Sequence, residues 1–297
     1  MLVNGPASWN LLVDLDSLPT PGAATMLARG HREGIGGTSA GKAITLAALG
    51  VDVELRTVLG EDEEAAAVRA ALARPRLHLA EVPARAGRTE RHLNLMTADG
   101  GRQSIYLELP TPLRELDADA AAALLVGIDV VVADLADHSR PLLRAARAAG
   151  LPLWCDVHDD DGTGAYAREF AESADVLLVS EARLADPAAY LRRHVEAGCR
   201  LAVCTRGAEG ALALDATGWT EVGPAPVDRV VDSNGAGDAF LAGLLAATLR
   251  GLGTAQALAW AGAAGAIAVG TSELAAPGAS AASVAALARS VRVSHPA

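Results

Sequence analysis

The residues best suited to chemistry stand together in the run Val230-Val231-Asp232-Ser233-Asn234-Gly235-Ala236-Gly237-Asp238-Ala239-Phe240-Leu241-Ala242-Gly243. Val230 and Val231 lead into a turn. The Ala- and Leu-rich run after Asp238 contains no proline and predicts a helix to about Gly251. The turn therefore sits at a helix N-terminus, where backbone N–H groups lack intrahelical partners and the macrodipole adds partial positive charge. Gly235, Ala236 and Gly237 carry almost no side-chain bulk, so an anion can approach that backbone closely. Asp238 adds a carboxylate in the first turn. Amides that hold developing charge, beside a carboxylate that accepts a hydroxyl proton, suit phosphoryl transfer. The plain alternative is a glycine-rich turn with Asp238 as a partner for the helix dipole.

A second glycine-rich run, Gly34-Ile35-Gly36-Gly37-Thr38-Ser39-Ala40-Gly41-Lys42-Ala43, opens another predicted helix that stops at Gly50. Gly36-x4-Gly41-Lys42 approaches the P-loop pattern, but Ala43 stands where that loop needs a metal-binding hydroxyl. The Gly-, His-, Arg- and Glu-rich segment before it is also not the apolar strand that a P-loop follows. A P-loop NTPase is therefore a weaker reading. Lys42 is the only lysine in the chain; as an isolated residue it reads as a helix-surface position. The densest acidic cluster, Asp156 to Gly162, follows an apolar strand. It fails as an EF-hand, since Asp161 and Ala167 stand where Gly and Glu are required. It reads either as a solvated loop or as a group near Mg²⁺ or substrate.

These residues need a frame. Leu11, Val13 and Leu15 alternate with Leu12, Asp14 and Asp16 as in a half-buried strand, and Thr25 to Glu33 reads as a second, exposed one. Thr89 to Leu109 predicts a hairpin around Asp99-Gly100-Gly101. Together these form a small second sheet. Val51 to Gly60 reads as a strand and Glu61 to Ala73 as a helix. From Asp117 onward, apolar strands at 128–133, 151–156, 176–179 and 201–204 alternate with helices at 140–149, 164–172 and 187–197. Continuous apolar strands separated by helices imply a mostly parallel sheet covered on both faces, in one α/β domain spanning 1–297.

Composition removes several classes of function. With 25 basic and 36 acidic residues the net charge is −11, and no basic run offsets it, which argues against nucleic acid and anionic membrane as partners. Cys155, Cys199 and Cys204 show no metal or redox spacing and read as buried reduced thiols. Asn4, Gly5 and Pro6 interrupt any leader, and Ala257 to Val269 is too short to cross a bilayer. A soluble, cytoplasmic protein is expected.

Asp232 to Asp238, followed by Ala-Phe-Leu-Ala-Gly, resembles the C-terminal signature of the ribokinase-like (PfkB) carbohydrate kinases. The resemblance implies Asp238 as catalytic base, Gly235, Ala236 and Gly237 as the anion hole, and a monovalent cation such as K⁺ near Asp232. It also implies an N-terminal Gly-Gly-x-x-x-Asn-x-Ala signature lining the sugar. Gly36, Gly37 and Ala43 fit that signature, whereas Gly41 replaces the asparagine, with Lys42 next door to take its place. Asn10 stands where the family has an aspartate that reads two sugar hydroxyls, and Asp14 joins the substrate set. Thr205 to Gly210 resembles the nucleotide-side turn, bringing Thr205, Gly207 and Gly210, with Asn234, toward ATP. Ser180-Glu181-Ala182-Arg183 occupies the place of an Asn-x-x-Glu motif that helps to position Mg²⁺; Ser180 stays on the nucleotide side and Glu181 takes up Mg²⁺ through water. Residues 11–33 and 89–109 would be the lid over the sugar and a homodimer contact. The implied activity is ATP-dependent phosphorylation of a hydroxymethyl group on a sugar or sugar-like substrate. The alternatives are a nucleoside kinase on the same fold, and a non-catalytic ligand-binding member, which the departures at 10, 41, 180 and 183 motivate.

Overall fold

In the computed structural model, which describes residues 1–98, 100–275 and 279–296, strand β1 (Leu2–Asn4) runs into β2 (Ser8–Leu15), β3 (Gly30–Gly36) and helix α1 (Thr38–Ala48). Then come β4 (Val53–Leu59), α2 (Glu63–Leu72), β5 (Leu77–Pro83) and the pair β6 (Arg91–Thr97) and β7 (Arg102–Glu108). From α3 (Ala118–Leu124) onward, β8 (Val131–Ala133), β9 (Leu153–Asp156), β10 (Val176–Ser180) and β11 (Leu201–Thr205) alternate with α4 (Arg140–Ala149), α5 (Ala165–Ser173) and α6 (Pro187–Glu196). Strands β12 (Ala211–Asp215) and β13 (Gly218–Val222) precede α7 (Ala236–Leu249), α8 (Thr254–Ala268), α9 (Ala281–Ala288) and β14 (Val293–Ser294).

The large sheet has the order β14-β13-β12-β11-β10-β9-β8-β1-β4-β5. Its strands are parallel from β5 to β11 and antiparallel from β11 through β12 and β13 to β14. Successive residues of these strands enter opposite cores: Val132, Leu178 and Val203 pack under α1, α7 and α8, while Val131, Leu177 and Ala202 pack under α4, α5 and α6. Burial on both faces is why these strands read as unbroken apolar runs. The α/β architecture and the separate small sheet expected from the sequence are both present.

The small sheet, ordered β3-β2-β6-β7, lies where the lid was expected, with two corrections. The second strand of this sheet is Gly30–Gly36, not 25–33, because Gly34, Ile35 and Gly36 continue the ladder opposite Asn10, Trp9 and Ser8 rather than turning. In β2 the buried residues are Ser8, Asn10, Leu12 and Leu15, whereas Leu11 and Val13 are half-exposed, so the polar Ser8 and Asn10 lie on the covered face. The hairpin between β6 and β7 closes with the Thr97 N–H on the Gly101 carbonyl at 2.9 Å; Asp99 of the expected turn lies outside the described residues. Cys155, Cys199 and Cys204 are buried and free, as expected. Among the described residues no helix is long and apolar enough to cross a membrane.

Candidate active site

Helix α7 begins behind Gly235, whose φ of 78° lies in the left-handed region that glycine tolerates at little cost. Ala239 bonds back to the Gly235 carbonyl at 2.9 Å and Ala236 to that of Ser233 at 3.3 Å. Among the described residues the amides of Gly235 and Gly237 have no partner, the expected state of a first helical turn. A Cβ on Gly237 would meet nothing within 4 Å, so this corner opens onto free space. One residue further on, Asp238 is only 7% exposed.

Helix α1 packs against α7. The close approach depends on Gly41, where a Cβ would stand 2.8 Å from Asp238 Oδ2. The glycine in the family's asparagine position thus makes room for the carboxylate. Lys42 does not lie on the helix surface. It is 0% exposed, and its Nζ stands 2.8 Å from Asp238 Oδ1, 3.0 Å from Asp134 Oδ1 and 3.2 Å from Asp156 Oδ2. Asp134 and Asp156 sit at the carboxyl ends of β8 and β9, the edge where open α/β sheets bind ligands. Asp134 Oδ2 also accepts from Ser39 Oγ at 2.6 Å and Thr38 Oγ1 at 3.3 Å. Asp156 accepts from the His158 amide at 3.0 Å and faces its imidazole at 3.5 Å.

Burial alone would make the Lys42 ammonium less basic, but Asp134, Asp238 and Asp156 outweigh it and hold its pKa well above 10.5. Burial pushes Asp238 up to about 6 against the pull of Lys42 and His158. Burial acts on Asp156 in the same sense, but His158 and Lys42 win there and its pKa is lowered. Two neighbouring carboxylates are thus driven apart, a pattern typical of acid–base sites.

The other expected site residues lie in the small sheet and at the ends of β10 and β11. Asn10 is buried, its Oδ1 accepting from the His92 amide at 3.1 Å. Gly36 lies against it, since a Cβ there would fall 2.0 Å from Asn10 Nδ2. Gly37 has φ 89° and backs onto Pro6. Asp14 is half-exposed and pairs with Arg32 at 3.7 Å. Ser180 ends β10 and its Oγ accepts from the Ala182 amide, with Glu181 half-buried beside it. Thr205 ends β11, and Gly207 and Gly210 bracket the turn into β12. Asn234 Oδ1 accepts from Arg102 at 2.9 Å, and Asp232 accepts from Arg32 at 2.8 Å and from the Asn234 amide. Arg183 turns away to Asp161 at 3.1 Å. The acidic cluster therefore divides: Asp156 faces Lys42, while Asp160 and Asp161 bond within their own loop and its neighbours.

Sequence reasoning missed Asp134, although an aspartate directly after the apolar run 130–133 marks a strand's carboxyl end. It also missed Arg32 and Arg102, whose partners are 200 and 132 residues away. A cavity of about 310 Å³ lined by Leu151, Asp175, His194 and Arg200 lies at the opposite end of the strands and takes no part in this site.

Residues 10–281 match the family described as pfkB family carbohydrate kinase. The acarbose 7(IV)-phosphotransferase of Actinoplanes sp. is 33% identical over 267 residues, 84% of this chain and 85% of that protein. An ATP-dependent ribose-1-phosphate kinase of Halopiger xanaduensis is 28% identical over 284 residues, 91% of this chain and 92% of that one. Among solved structures, a microbiome-derived acarbose kinase superposes with TM-score 0.85 at 28% identity over 97% of this chain and 98% of its own. The ribokinase of Arabidopsis thaliana complexed with ribose and ATP shares the fold, with TM-score 0.75 at 21% identity over 97% and 98% of the two chains. With its signature turn and a family match over most of its length, this chain belongs to the pfkB family of carbohydrate kinases.

Proposed function

We propose that this chain transfers the terminal phosphoryl group of ATP to a hydroxymethyl group of a sugar or sugar-like acceptor, with Asp238 as general base. The observation that carries this reading is the pairing of a buried carboxylate with unpartnered amides at a corner open to a ligand. Asp238 takes the hydroxyl proton as the new O–P bond forms. The bond to the ADP oxygen breaks, and ADP leaves with that electron pair. We assign the anion hole to Gly235, Ala236 and Gly237, where the unpartnered amides of Gly235 and Gly237 hold the charge spread over the transferred group and the Ala236 amide joins them only by giving up Ser233.

The remaining assignments follow the same edge. Asn10, Asp14, Gly36, Gly37 and Gly41 surround the acceptor. Ser180, Thr205, Gly207, Gly210 and Asn234 face the nucleotide, whose Mg²⁺ is assigned to Glu181 through water. Closure of the small sheet over the acceptor would keep water from the phosphoryl group. Ile105, Tyr106 and Leu107 are 41%, 61% and 49% exposed on β7, the edge strand of that sheet, and we assign a homodimer contact there. The buried thiols suit a cytoplasmic setting.

The test is an ADP-release screen with MgATP over acarbose, D-ribose, ribose 1-phosphate, fructose, 2-keto-3-deoxygluconate and adenosine. Acarbose comes first because the relatives named for it are 33% and 28% identical. Phosphorylation of adenosine alone would make the enzyme a nucleoside kinase. Thermal stabilisation by an acceptor without transfer to any of them would make it a binding protein.

A further inference from the structure

We propose that Lys42 is a positioning residue for phosphoryl transfer, a built-in cation that fixes Asp238 as an anion between Asp134 and Asp156. The proposal rests on Asp238 being the base. It starts from the number of groups around one nitrogen. An ammonium has three N–H donors, and Lys42 Nζ faces three carboxylates at 2.8, 3.0 and 3.2 Å. Only the contact with Asp238 Oδ1 is a hydrogen bond, but the nitrogen is fully buried among the three carboxylates, so Lys42 does not replace the missing asparagine as a reader of the sugar.

The three carboxylates are not equivalent. Asp134 is tied to α1 through Ser39 and Thr38, and Asp156 is tied to the amide of His158. Asp238 has one side-chain partner among the described residues, and it is Lys42. The ammonium therefore links a loose carboxylate to two anchored ones. It binds Oδ1 and leaves Oδ2 over Gly41, where no side chain competes, so Oδ2 is the oxygen free to receive a proton. Without the cation, the charges at the ends of β8 and β9 would face Asp238 uncompensated and favour its protonation. A protonated Asp238 cannot act as base. The groups that set its charge are Lys42 on α1, Asp134 after β8, and Asp156 and His158 at the end of β9.

The chain's single lysine makes the test direct. Protein carrying ¹³C-carboxyl aspartate and ε-¹⁵N lysine would be titrated by NMR as wild type, Lys42→Met and Asp156→Asn, with the Asp238 signal assigned by its absence in Asp238→Asn. Removing the cation should raise the Asp238 midpoint by about 1–3 pH units, and removing the Asp156 charge should lower it. The acid limb of kcat should move in the same two directions, with kcat falling more than KM rises in Lys42→Met. A role in packing alone would lower the melting temperature and leave the Asp238 midpoint unmoved in both variants, and that result overturns the proposal. If Lys42→Met does not fold, two readings remain: the downward shift in Asp156→Asn, and an Nζ signal that stays ammonium above pH 10.5 in the wild type. Failure of either overturns it. The kinase reading fails separately, through full phosphorylation by Asp238→Asn, because none of the NMR readings needs an acceptor.

Discussion

Arg32 of β3, in the small sheet, donates to the carboxylate of Asp232, the first residue of the signature turn, at 2.8 Å across 200 residues of sequence. A second arginine of that sheet, Arg102 of β7, reaches Asn234 of the same turn at 2.9 Å. The small sheet is thus tied to the turn that opens α7, so that on the proposed reading its closure and the shape of that turn would move together.

This coupling predicts what loss of the fastening does. Arg32→Ala removes a partly exposed ion pair worth up to about 1 kcal/mol, so KM for the acceptor should rise by up to about fivefold while the fold persists. Water should also reach the phosphoryl group more often. The ratio of ADP released to acceptor phosphorylated, close to one in the wild type, should rise in the variant. An unchanged ratio would show that these arginine contacts do not keep water from the phosphoryl group.

The base assignment predicts a large effect from a change of one atom. Asp238→Asn keeps the shape of the side chain and its place in the first turn of α7, but cannot accept the proton. A general base contributes about 100- to 10,000-fold, so kcat should fall within that range with circular dichroism unchanged. A loss under tenfold would remove Asp238 from the role. In the wild type, kcat/KM should fall below about pH 6, where burial places the Asp238 carboxyl.

Gly41 gives a prediction opposite to the one its family position suggests. Asparagine there would appear to restore a lost sugar contact. In this chain its Cβ would sit 2.8 Å from Asp238 Oδ2 and 3.0 Å from Asp238 Cβ. Gly41→Asn should therefore displace the base, and a misplacement of about 1 Å costs roughly 100-fold in rate. Acceptor phosphorylation by this variant measures the effect, and an increase would show that Asp238 has room to move.

The contrast between Gly41 and Lys42 shows how far the sequence carries. The turn at 235–237 and the strand–helix alternation after residue 117 were legible because local spacing and apolar runs determine them. Lys42 was not, since an isolated lysine is surface-seeking until its carboxylates are seen around it. Those carboxylates come from residues 134, 156 and 238, brought together only by the parallel order of β8 and β9 and the packing of α1 on α7. The register of β3 was hidden for the same reason, because the partner that keeps Gly34 to Gly36 extended lies in β2.

His138 supplies a prediction about stability. Its Nε2 is buried with no partner among the described residues, and burial, reinforced by Arg56, depresses its pKa to about 4. The folded protein therefore binds fewer protons at His138 than the unfolded chain does, and stability is lost as pH falls from about 6.5 through 4, by up to about 3 kcal/mol. Asp238 acts in the opposite sense. Its folded pKa of about 6 lies above the ordinary 3.8, so its contribution returns as pH falls through 6, again by up to about 3 kcal/mol. Replacing His138 by Gln leaves the Asp238 and Asp156 contributions common to both proteins, so the difference between them isolates the imidazole. Urea unfolding at pH 6.5 and pH 4 should show His138→Gln gaining up to about 3 kcal/mol relative to wild type on acidification. Equal pH slopes in the two proteins would mean that the His138 ring takes up its proton in the fold as readily as in water.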